Sequence, residues 1–184
     1  PQSPRRGLHA IMINSSGGMT GGDQLKWHME VGEEATATFT TQACERIYKA
    51  PADTARVDVD LRVAKGGKLA WLPQETILFD RGSLTRNMHA ELAAQSEALF
   101  VEPLIFGRQA MGECVACGYL QDRWRIFQDG HLLHGEDLLI SDAVEDKINR
   151  QFNLGPNRSM VTVLLVSPAA EGHLTSARQI IGDS

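Results

Sequence analysis

The feature that most restricts the fold of this sequence is a repeated alternation of apolar and polar residues with a period of two. In ARVDVDLRV (Ala55–Val63), the valines and the leucine fall on one side, and Asp58, Asp60 and Arg62 fall on the other. This period is typical of strands with one buried face. We predict strands at 8–13, 24–31, 35–41, 55–63, 84–92, 123–127 and 160–166, with glycine-bearing turns between many of them.

Three segments of the chain also resemble one another, and each reads as strand, turn, strand. Val63 follows Val31 at the same spacing at which Trp71 follows Phe39 and Gln74 follows Gln42. Leu99 follows Leu69, and Pro103 follows Pro73, at a slightly shorter spacing. A strand-built period of about 30 residues indicates stacked coils, as in solenoids. The alternative is a coincidence among hairpins of similar length. Both interpretations predict a mostly β fold, and the repeats predict layered, helicoidal or β-helix-like sheets.

Helical composition occurs only late in the sequence. Ser141-Asp142 is a suitable cap for a helix in AVEDKINRQF (143–152), and SPAAEGHLTSARQII (167–181) has helical composition despite its glycine. We therefore expect about two helices near the C-terminal end. The 184 residues fit one domain, 1–184.

Charge and hydropathy exclude several classes of function. The net charge is −5 with acids and bases interspersed, so no basic stripe predicts binding to nucleic acid. No apolar run approaches the ~18 residues that a membrane span needs. Three cysteines, an odd number, do not suggest a disulfide framework. We expect a cytoplasmic protein that binds neither nucleic acid nor membrane.

The segment NSSGGMTGGD (14–23) carries two glycine pairs, Gly17-Gly18 and Gly21-Gly22, followed by Asp23. A phosphate loop would need a Lys-Ser/Thr ending and a helix after it, and both are missing. A dinucleotide-binding turn is excluded because the following residues read as a strand. Because glycine tolerates positive φ, the pattern predicts a tight turn between two strands.

Cys114-x-x-Cys117 and His131-x-x-His134 nearly match a Cys₂His₂ zinc finger. The histidine spacing is too short, however, and DRWRIF between the pairs is a strand pattern without a finger helix. Buried thiols and ordinary histidines are the favoured interpretation, and we expect no stable metal site. Signatures of serine or cysteine nucleophiles are missing from the sequence.

Six acids sit in or beside apolar, turn-rich segments, where an unpaired carboxylate is costly to bury. They are Asp23, Glu75, Asp80, Glu102, Glu113 and Glu136. Three interpretations stay open for them. They are a general acid and base of a hydrolase, oxygen ligands of a divalent cation, or satisfied acids in turns and interfaces.

Five blocks of the sequence, in order and at matching spacing, resemble the urease accessory proteins of the D type, called H in some bacteria. They are SSGGMTGGDQL, TTQACERIYKA, LAWLPQETILFDRG, FVEPLIFGRQAMGE and RIFQDGHLLHGEDLLI, and they cover about Leu8 to Ile140. LAWLPQETILFDRG is the most specific of the five. The sequence departs from the family pattern at Gln42-Ala43, at Glu45, where a small residue is common, and at His134-Gly135. The family's chains usually extend further at both ends, so we expect 1–184 to be an incomplete domain.

The resemblance implies a function without catalysis. It implies a mostly β, helicoidal two-layer fold with a couple of helices. It also implies a part in urease maturation, through binding of the urease apoprotein and of the F-type accessory protein, which recruits the G-type GTPase. Together these proteins deliver nickel to urease, and the D-type protein is thought to offer an internal passage. No tightly bound cofactor is expected, only transient Ni²⁺.

By the same resemblance, Asp23, Glu102 and Glu136 occupy acidic motif positions and are the main candidates for the passage. Glu75, Asp80 and Glu113 are candidates of second rank. The glycine pairs would then serve as the turn that presents Asp23.

Overall fold

The computed structural model describes residues 7–150 and 154–182. The strands are β1 (Leu8–Met12), β2 (Gln24–Val31), β3 (Thr36–Thr41), β4 (Glu45–Ile47), β5 (Ala55–Val63), β6 (Lys68–Trp71), β7 (Thr76–Leu78), β8 (Ser83–Leu92), β9 (Glu97–Phe106), β10 (Cys117–Gln128), β11 (His131–Ala143) and β12 (Ser159–Val166). The helices are α1 (Val144–Ile148) and α2 (Ala170–Ile181), and a 3₁₀ turn spans Gln109–Met111. The mostly β fold with two late helices is therefore confirmed.

The strands form two sheets. One has five strands in the order β11-β10-β8-β5-β2. The other has seven strands in the order β1-β3-β6-β9-β7-β4, with β12 paired to β9. All strand pairs are parallel except β10–β11 and β9–β12. Parallel neighbours need a crossover between them. The chain therefore alternates between the sheets and winds through about three coils: β2-β3-β4, β5-β6-β7 and β8-β9.

The repeat between the first two coils is confirmed by the strand register, in which Val31 pairs with Val63 and Phe39 with Trp71. The repeat that the sequence suggests for the next coil, from Leu69 to Leu99, is wrong by one position. Leu69 pairs with Ala98, and Leu99 lies on the opposite face of β9. A slip of one position exchanges the buried and outer faces of a strand, which is why the apparent Leu69–Leu99 repeat misleads.

The core lies between the two sheets and takes every second residue of the long strands. β8 and β9 alternate without interruption between buried and half-buried positions over ten residues each. The largest side chains with almost no exposure are Trp124, Phe100 and Phe106. The described core holds five buried polar or charged residues, namely Thr76, Arg86, Ser96, Glu102 and Asp122.

Helix α1 is shorter than the sequence predicts. It spans Val144–Ile148 and buries Val144 and Ile148, and its cap residue is Ala143 without a side-chain bond. Ser141-Asp142 does not cap it, because β11 extends through both residues. Positions 151 and 152 of the predicted helix lie outside the described residues.

Helix α2 is confirmed, and none of its residues is buried. Among the helices of residues 7–150 and 154–182, none combines the length and apolar character required to cross a membrane.

Candidate functional site

Glu102 is a carboxylic acid in the middle of the core. It lies on the inward side of β9 between Phe100 and Leu104, and only 4% of its surface is exposed. Its Oε1 accepts a hydrogen bond of 2.6 Å from the indole Nε1 of Trp71. Its Oε2 accepts one from Nη1 of Arg86, which enters the core from the other sheet. Glu102 is thus a buried carboxylate with two donors, as such a group requires.

Arg86 joins Glu102 to a second buried acid. On β8 it sits beside Asp122 of β10 in the strand register. Its Nε lies 3.0 Å from Asp122 Oδ1, and its Nη2 donates to Asp122 Oδ2. Nη1 also reaches Thr76 Oγ1 at 3.4 Å. We call Arg86, Glu102 and Asp122 the core ion cluster; with all three groups ionised it carries a net charge of −1.

Burial and charge act in opposite directions on the pKa values of the core ion cluster. Burial raises the pKa of Glu102 more than Arg86 and the Trp71 bond lower it, and the charge of Asp122 raises it further. For Arg86, burial lowers the pKa, but the charges of Glu102 and Asp122 outweigh that effect and the pKa is raised. The guanidinium between the two acids therefore remains charged, while the pKa of Glu102 is raised above its ordinary value.

A small cavity borders the core ion cluster. This inner cavity has a volume of about 50 Å³, which is enough for a few waters. Its lining includes Trp27, Thr41, Glu45, Trp71, Thr76, Arg86 and Glu102. An outer pocket of about 230 Å³ adjoins it, because Trp27, Thr41 and Glu45 line both spaces. Gly17 and Gly18 of the glycine turn line the outer pocket.

Glu45 therefore stands where the outer pocket meets the inner cavity. Asn14 Nδ2 lies 3.1 and 3.0 Å from its two carboxylate oxygens and donates to them. Burial raises the pKa of Glu45 more than the Asn14 bond lowers it.

Glu136 approaches the core ion cluster from β11, the strand at one edge of the five-stranded sheet. It pairs with the buried Trp124 across β10 and β11, so its side chain is on the inward side of β11. Its Oε2 lies 3.5 Å from His134 Nε2. The charge of Glu136 is also one of the causes that raise the pKa of Arg86. Glu102 and Glu136, two of the main candidates, thus act on one arginine.

The third main candidate, Asp23, lies elsewhere. It is exposed, and its Oδ2 accepts a hydrogen bond of 2.8 Å from the backbone N–H of Thr20 within the glycine turn. Gly17, Gly18 and Gly22 have positive φ, of 77°, 143° and 86°. At Gly21, an added Cβ would lie 1.9 Å from the carbonyl oxygen of Ala52. In this arrangement Asp23 closes the turn, and it is not part of the lining of the inner cavity or the outer pocket.

The three acids of second rank also lie away from the inner cavity. Glu113 accepts bonds from Arg108 N and Nε at 3.1 and 2.8 Å, and from Asp80 N at 3.4 Å. Asp80 Oδ1 in turn accepts a bond from the N–H of Cys117. The hydrogen bonds of these two acids stabilise the loop between β9 and β10. Glu75 is half-buried beside β7, and its carbonyl accepts the N–H of Glu45.

A further pocket, of about 720 Å³, is an open depression at one end of the five-stranded sheet. Its lining includes Glu30, Arg62, His89 and Glu91. None of the six acids predicted from the sequence belongs to it. Its charges pair with one another at the surface, as Arg62 does with Glu30 at 3.9 Å.

The zinc-finger alternative is excluded by the register of the β10–β11 hairpin. Cys117 pairs with Ala143 at one end of the hairpin, whereas His131 pairs with Gln128 at the other end. At about 3.4 Å per residue the two ends are roughly 30 Å or more apart. Cys114 and Cys117 are exposed free thiols rather than buried ones. In the described residues, no three histidine, cysteine or acidic side chains are grouped to bind a metal.

Arg86, Asp122, Trp71 and Glu45 were missed as site residues by the sequence interpretation. Strand alternation contained a signal for two of them. In LTRNMHAEL, Arg86 shares its parity with Leu84 and Met88, and Asp122 shares its parity with Leu120 and Trp124. A charged residue at an inward position predicts a buried partner of opposite charge.

Comparisons with known proteins identify the family. The model of the family "UreD urease accessory protein" matches residues 1–184. The UreD of Mesorhizobium japonicum is 49% identical over 175 residues, which cover 95% of this chain and 62% of the relative. UreD 1 of Brucella anthropi is 46% identical over 187 residues, which cover all of this chain and 66% of the relative. The chain thus spans 62–66% of the length of these curated relatives. The chain belongs to the UreD family of urease accessory proteins.

Proposed function

We propose that this chain takes part in the maturation of urease as an accessory protein that does not itself catalyse a reaction. Support comes from the family match over residues 1–184 and from relatives that are named urease accessory proteins. In this proposal its partners are the urease apoprotein and the F-type accessory protein, and through the latter the G-type GTPase. The protein acts in the cytoplasm and binds neither nucleic acid nor membrane.

The proposed contribution of this chain is an acid-lined passage for Ni²⁺. The observation that carries it is the adjoining outer pocket and inner cavity, with Glu45 where they meet and Glu102 in the wall of the inner cavity. Carboxylate oxygens bind Ni²⁺ less tightly than imidazole or thiolate does, which suits an ion that must leave again. The route enters past Glu45, reaches Glu102 and Asp122, and continues towards Glu136.

The hydrolase alternative receives less support from the site. The inner cavity of about 50 Å³ is far below the roughly 300–1,000 Å³ of ordinary ligand pockets. Glu102 accepts hydrogen bonds from Trp71 and Arg86 inside the core, where the inner cavity is too small for an ordinary substrate. A general acid and base pair would need an open cleft between the two carboxylates.

The test is nickel incorporation into urease. The intact protein is co-expressed with urease apoprotein and the F- and G-type accessory proteins, and nickel per urease active site is measured. We expect nickel loading only when the protein is present. Equal nickel loading without it would contradict the maturation role.

The passage is tested in the same assay by neutral variants. We expect Glu45→Gln, Glu102→Gln and Glu136→Gln to lower nickel loading while the complex with the partners still forms. Glu33→Gln, a change at an exposed turn acid, is the matched control and leaves loading unchanged. Asp23→Asn tests whether Asp23, the remaining main candidate for the passage, also contributes to nickel loading. Loss of partner binding in a variant would place that acid at an interface instead.

A further inference from the structure

Glu45 is a half-buried acid to which no basic side chain of the described residues is bound. Its carboxylate accepts its side-chain hydrogen bonds from one group, Asn14 Nδ2, at 3.1 and 3.0 Å. Burial raises its pKa, and the groups that lower the pKa are Asn14 and the backbone N–H of Arg46 rather than a basic side chain. Glu45 thus differs from Glu102, whose charge Arg86 compensates. A cation beside Glu45 would offset the cost of its burial.

Arg46 is the other charged residue in the lining of the outer pocket, and its side chain points away from Glu45. On β4, Glu45 is half-buried and Ile47 is buried, whereas Arg46 between them is exposed. Neighbouring residues of a strand point to opposite faces. The wall that Glu45 contributes to the outer pocket is therefore acidic.

The outer pocket has the size of one side chain. Its volume of about 230 Å³ is below the roughly 300–1,000 Å³ of pockets that take a whole small molecule. Trp27 lines it together with Glu45. A guanidinium group uses both kinds of lining, because it stacks on an aromatic ring and donates through its planar fork to a carboxylate. An ammonium group lacks the fork, so the pocket favours arginine over lysine.

The wall formed by the glycine turn is held in place by β4. Met19 N donates to the carbonyl of Arg46, and Tyr48 N donates to the carbonyl of Met19, both at 2.8 Å. At Gly18, an added Cβ would lie 2.5 Å from the ring of Tyr48 and 2.7 Å from the oxygen of Arg46. The turn thus packs tightly against β4. Because the pocket is already formed, binding does not require the ordering of a loop.

Exposed apolar residues next to the outer pocket indicate that its occupant belongs to a protein. Ile11 and Ile13 are the chain neighbours of Met12, which lines the pocket. They are 65% and 59% exposed. Tyr48, 38% exposed, donates from its hydroxyl to the carbonyl of Gly17 at 3.3 Å. Apolar surface around a charged pocket is typical of an interface in which an arginine is the central anchor.

We propose that the outer pocket is an anchor site for an arginine side chain of a protein partner, with the guanidinium on the carboxylate of Glu45 and against the ring of Trp27. The inference goes beyond the proposed function, because it requires neither nickel nor a passage. Its physical content is one ion pair and one contact between a cation and an aromatic ring.

The first test is a titration of the intact, ¹⁵N-labelled protein with N-propylguanidinium chloride, followed by the NMR signals of the indole N–H groups. Loss of a signal in Trp27→Phe assigns Trp27, and the buried Trp124 is the internal reference. We expect a saturable shift at Trp27 and none at Trp124. Glu45→Gln, which keeps the shape and removes the charge, should weaken binding at least about fivefold.

Arg46→Gln is the matched control for Glu45→Gln. It removes the neighbouring charge on the exposed face of β4, so the probe should bind no more weakly than it does to the unchanged protein. Equal affinity in the unchanged protein and in folded Glu45→Gln overturns the proposal. Weaker binding to Arg46→Gln than to Glu45→Gln overturns it as well, because Arg46 would then dominate the site.

Cys44 provides a measurement on the unchanged protein, in case Glu45→Gln does not fold. It lines the outer pocket and is half-buried, whereas Cys114 and Cys117 are exposed and do not line it. We expect N-propylguanidinium to slow the reaction of iodoacetamide with Cys44, with the concentration dependence of the Trp27 shift, and to leave the other two thiols unaffected. An unchanged rate at Cys44 at probe concentrations that shift Trp27 overturns the proposal.

Two peptides test whether the occupant belongs to a protein. Acetyl-Leu-Arg-Leu-amide carries apolar neighbours for Ile13 and Tyr48, and acetyl-Ser-Arg-Ser-amide is its polar control. We expect the leucine peptide to bind at least about fivefold more tightly than the control. Equal binding of both peptides and of N-propylguanidinium would overturn the assignment to a protein partner. These titrations contain neither nickel nor urease, so failure of the maturation role and failure of this inference are separate results.

Discussion

The indole Nε1 of Trp71 lies 2.6 Å from Glu102 Oε1 and donates a hydrogen bond to it between the two sheets. Trp71 ends β6 beside Phe100 of β9, and its ring reaches the side chain two positions further along β9. Both residues are almost fully buried, at 2% and 4% exposure. Trp71 therefore holds the carboxylate from within one sheet, while Arg86 holds it from the other.

Trp71→Phe removes this donor and keeps an aromatic ring. Because the buried carboxylate loses one of its partners, we expect the free energy of unfolding to fall by about 1–3 kcal/mol. Urea unfolding of the intact protein measures the loss. Trp27→Phe is the control, since Trp27 borders the same inner cavity and does not donate to Glu102. A smaller loss for Trp71→Phe than for Trp27→Phe would contradict the importance of the bond.

The raised pKa of Glu102 predicts how stability depends on pH. The folded state keeps the proton of Glu102 at pH values where an ordinary glutamate, with a pKa of 4.5, has lost it. The stability from this group is complete below about pH 4.5 and is lost as pH rises through the raised pKa. The unfolding free energy of the unchanged protein minus that of Glu102→Gln should therefore decrease with rising pH. Urea unfolding at several pH values tests this, and a difference that increases with pH would contradict it.

Glu113 predicts a pH dependence of the opposite sign. The side-chain hydrogen bond from Arg108 is the main cause that lowers the pKa of Glu113 below the ordinary 4.5. Hydrogen bonds from backbone N–H groups lower it further. Its contribution is present above that value and is lost as pH falls through the lowered pKa. We expect Glu113→Gln to lower the unfolding free energy at neutral pH by about 1–3 kcal/mol. The same urea experiment should show this difference shrinking in acid. Glu33→Gln is the control, and an equal loss in both variants would contradict a stabilising role for the bonds between Arg108 and Glu113.

The glycine turn predicts a steric effect at Gly21. An added Cβ there would meet the backbone oxygen of Ala52 at 1.9 Å, and backbone cannot move away as a flexible side chain can. We expect Gly21→Ala to lower the unfolding free energy by about 1–3 kcal/mol or more. At Gly32 nothing lies within 4 Å of an added Cβ, so Gly32→Ala is the matched control. Equal unfolding midpoints for the two variants would show that the turn readily rearranges.

Replacement of the exposed thiols is expected to have a small effect on the stability of the protein. Cys114→Ser and Cys117→Ser should change the unfolding free energy by no more than about 0.5 kcal/mol, because both residues are exposed. A chelator should also leave the melting temperature unchanged. Unfolding by chelator, together with zinc in the purified protein, would restore the zinc alternative.

Some of the fold was determined by the sequence alone because it depends on local periodicity. The alternation in Ala55–Val63 predicts a strand with these bounds, because consecutive residues of a strand point to its inward and outward faces in turn. The repeat from Val31 to Val63 was visible because the first two coils have the same length. Acids in apolar settings, Glu102 among them, were also visible as candidates.

The tertiary structure alone decided which strands lie opposite one another and which acids meet. Leu69 pairs with Ala98 and not Leu99 because hydrogen bonding between strands, rather than likeness of side chains, sets the register. Asp23 follows a glycine-rich segment and Glu102 follows an apolar one, yet Asp23 is exposed and Glu102 is buried. Arg86, Glu102 and Asp122 form one cluster only after the two sheets stack face to face. Strand alternation along the chain places each of these charges on an inward face, but which charges meet depends on the partners that the other sheet supplies.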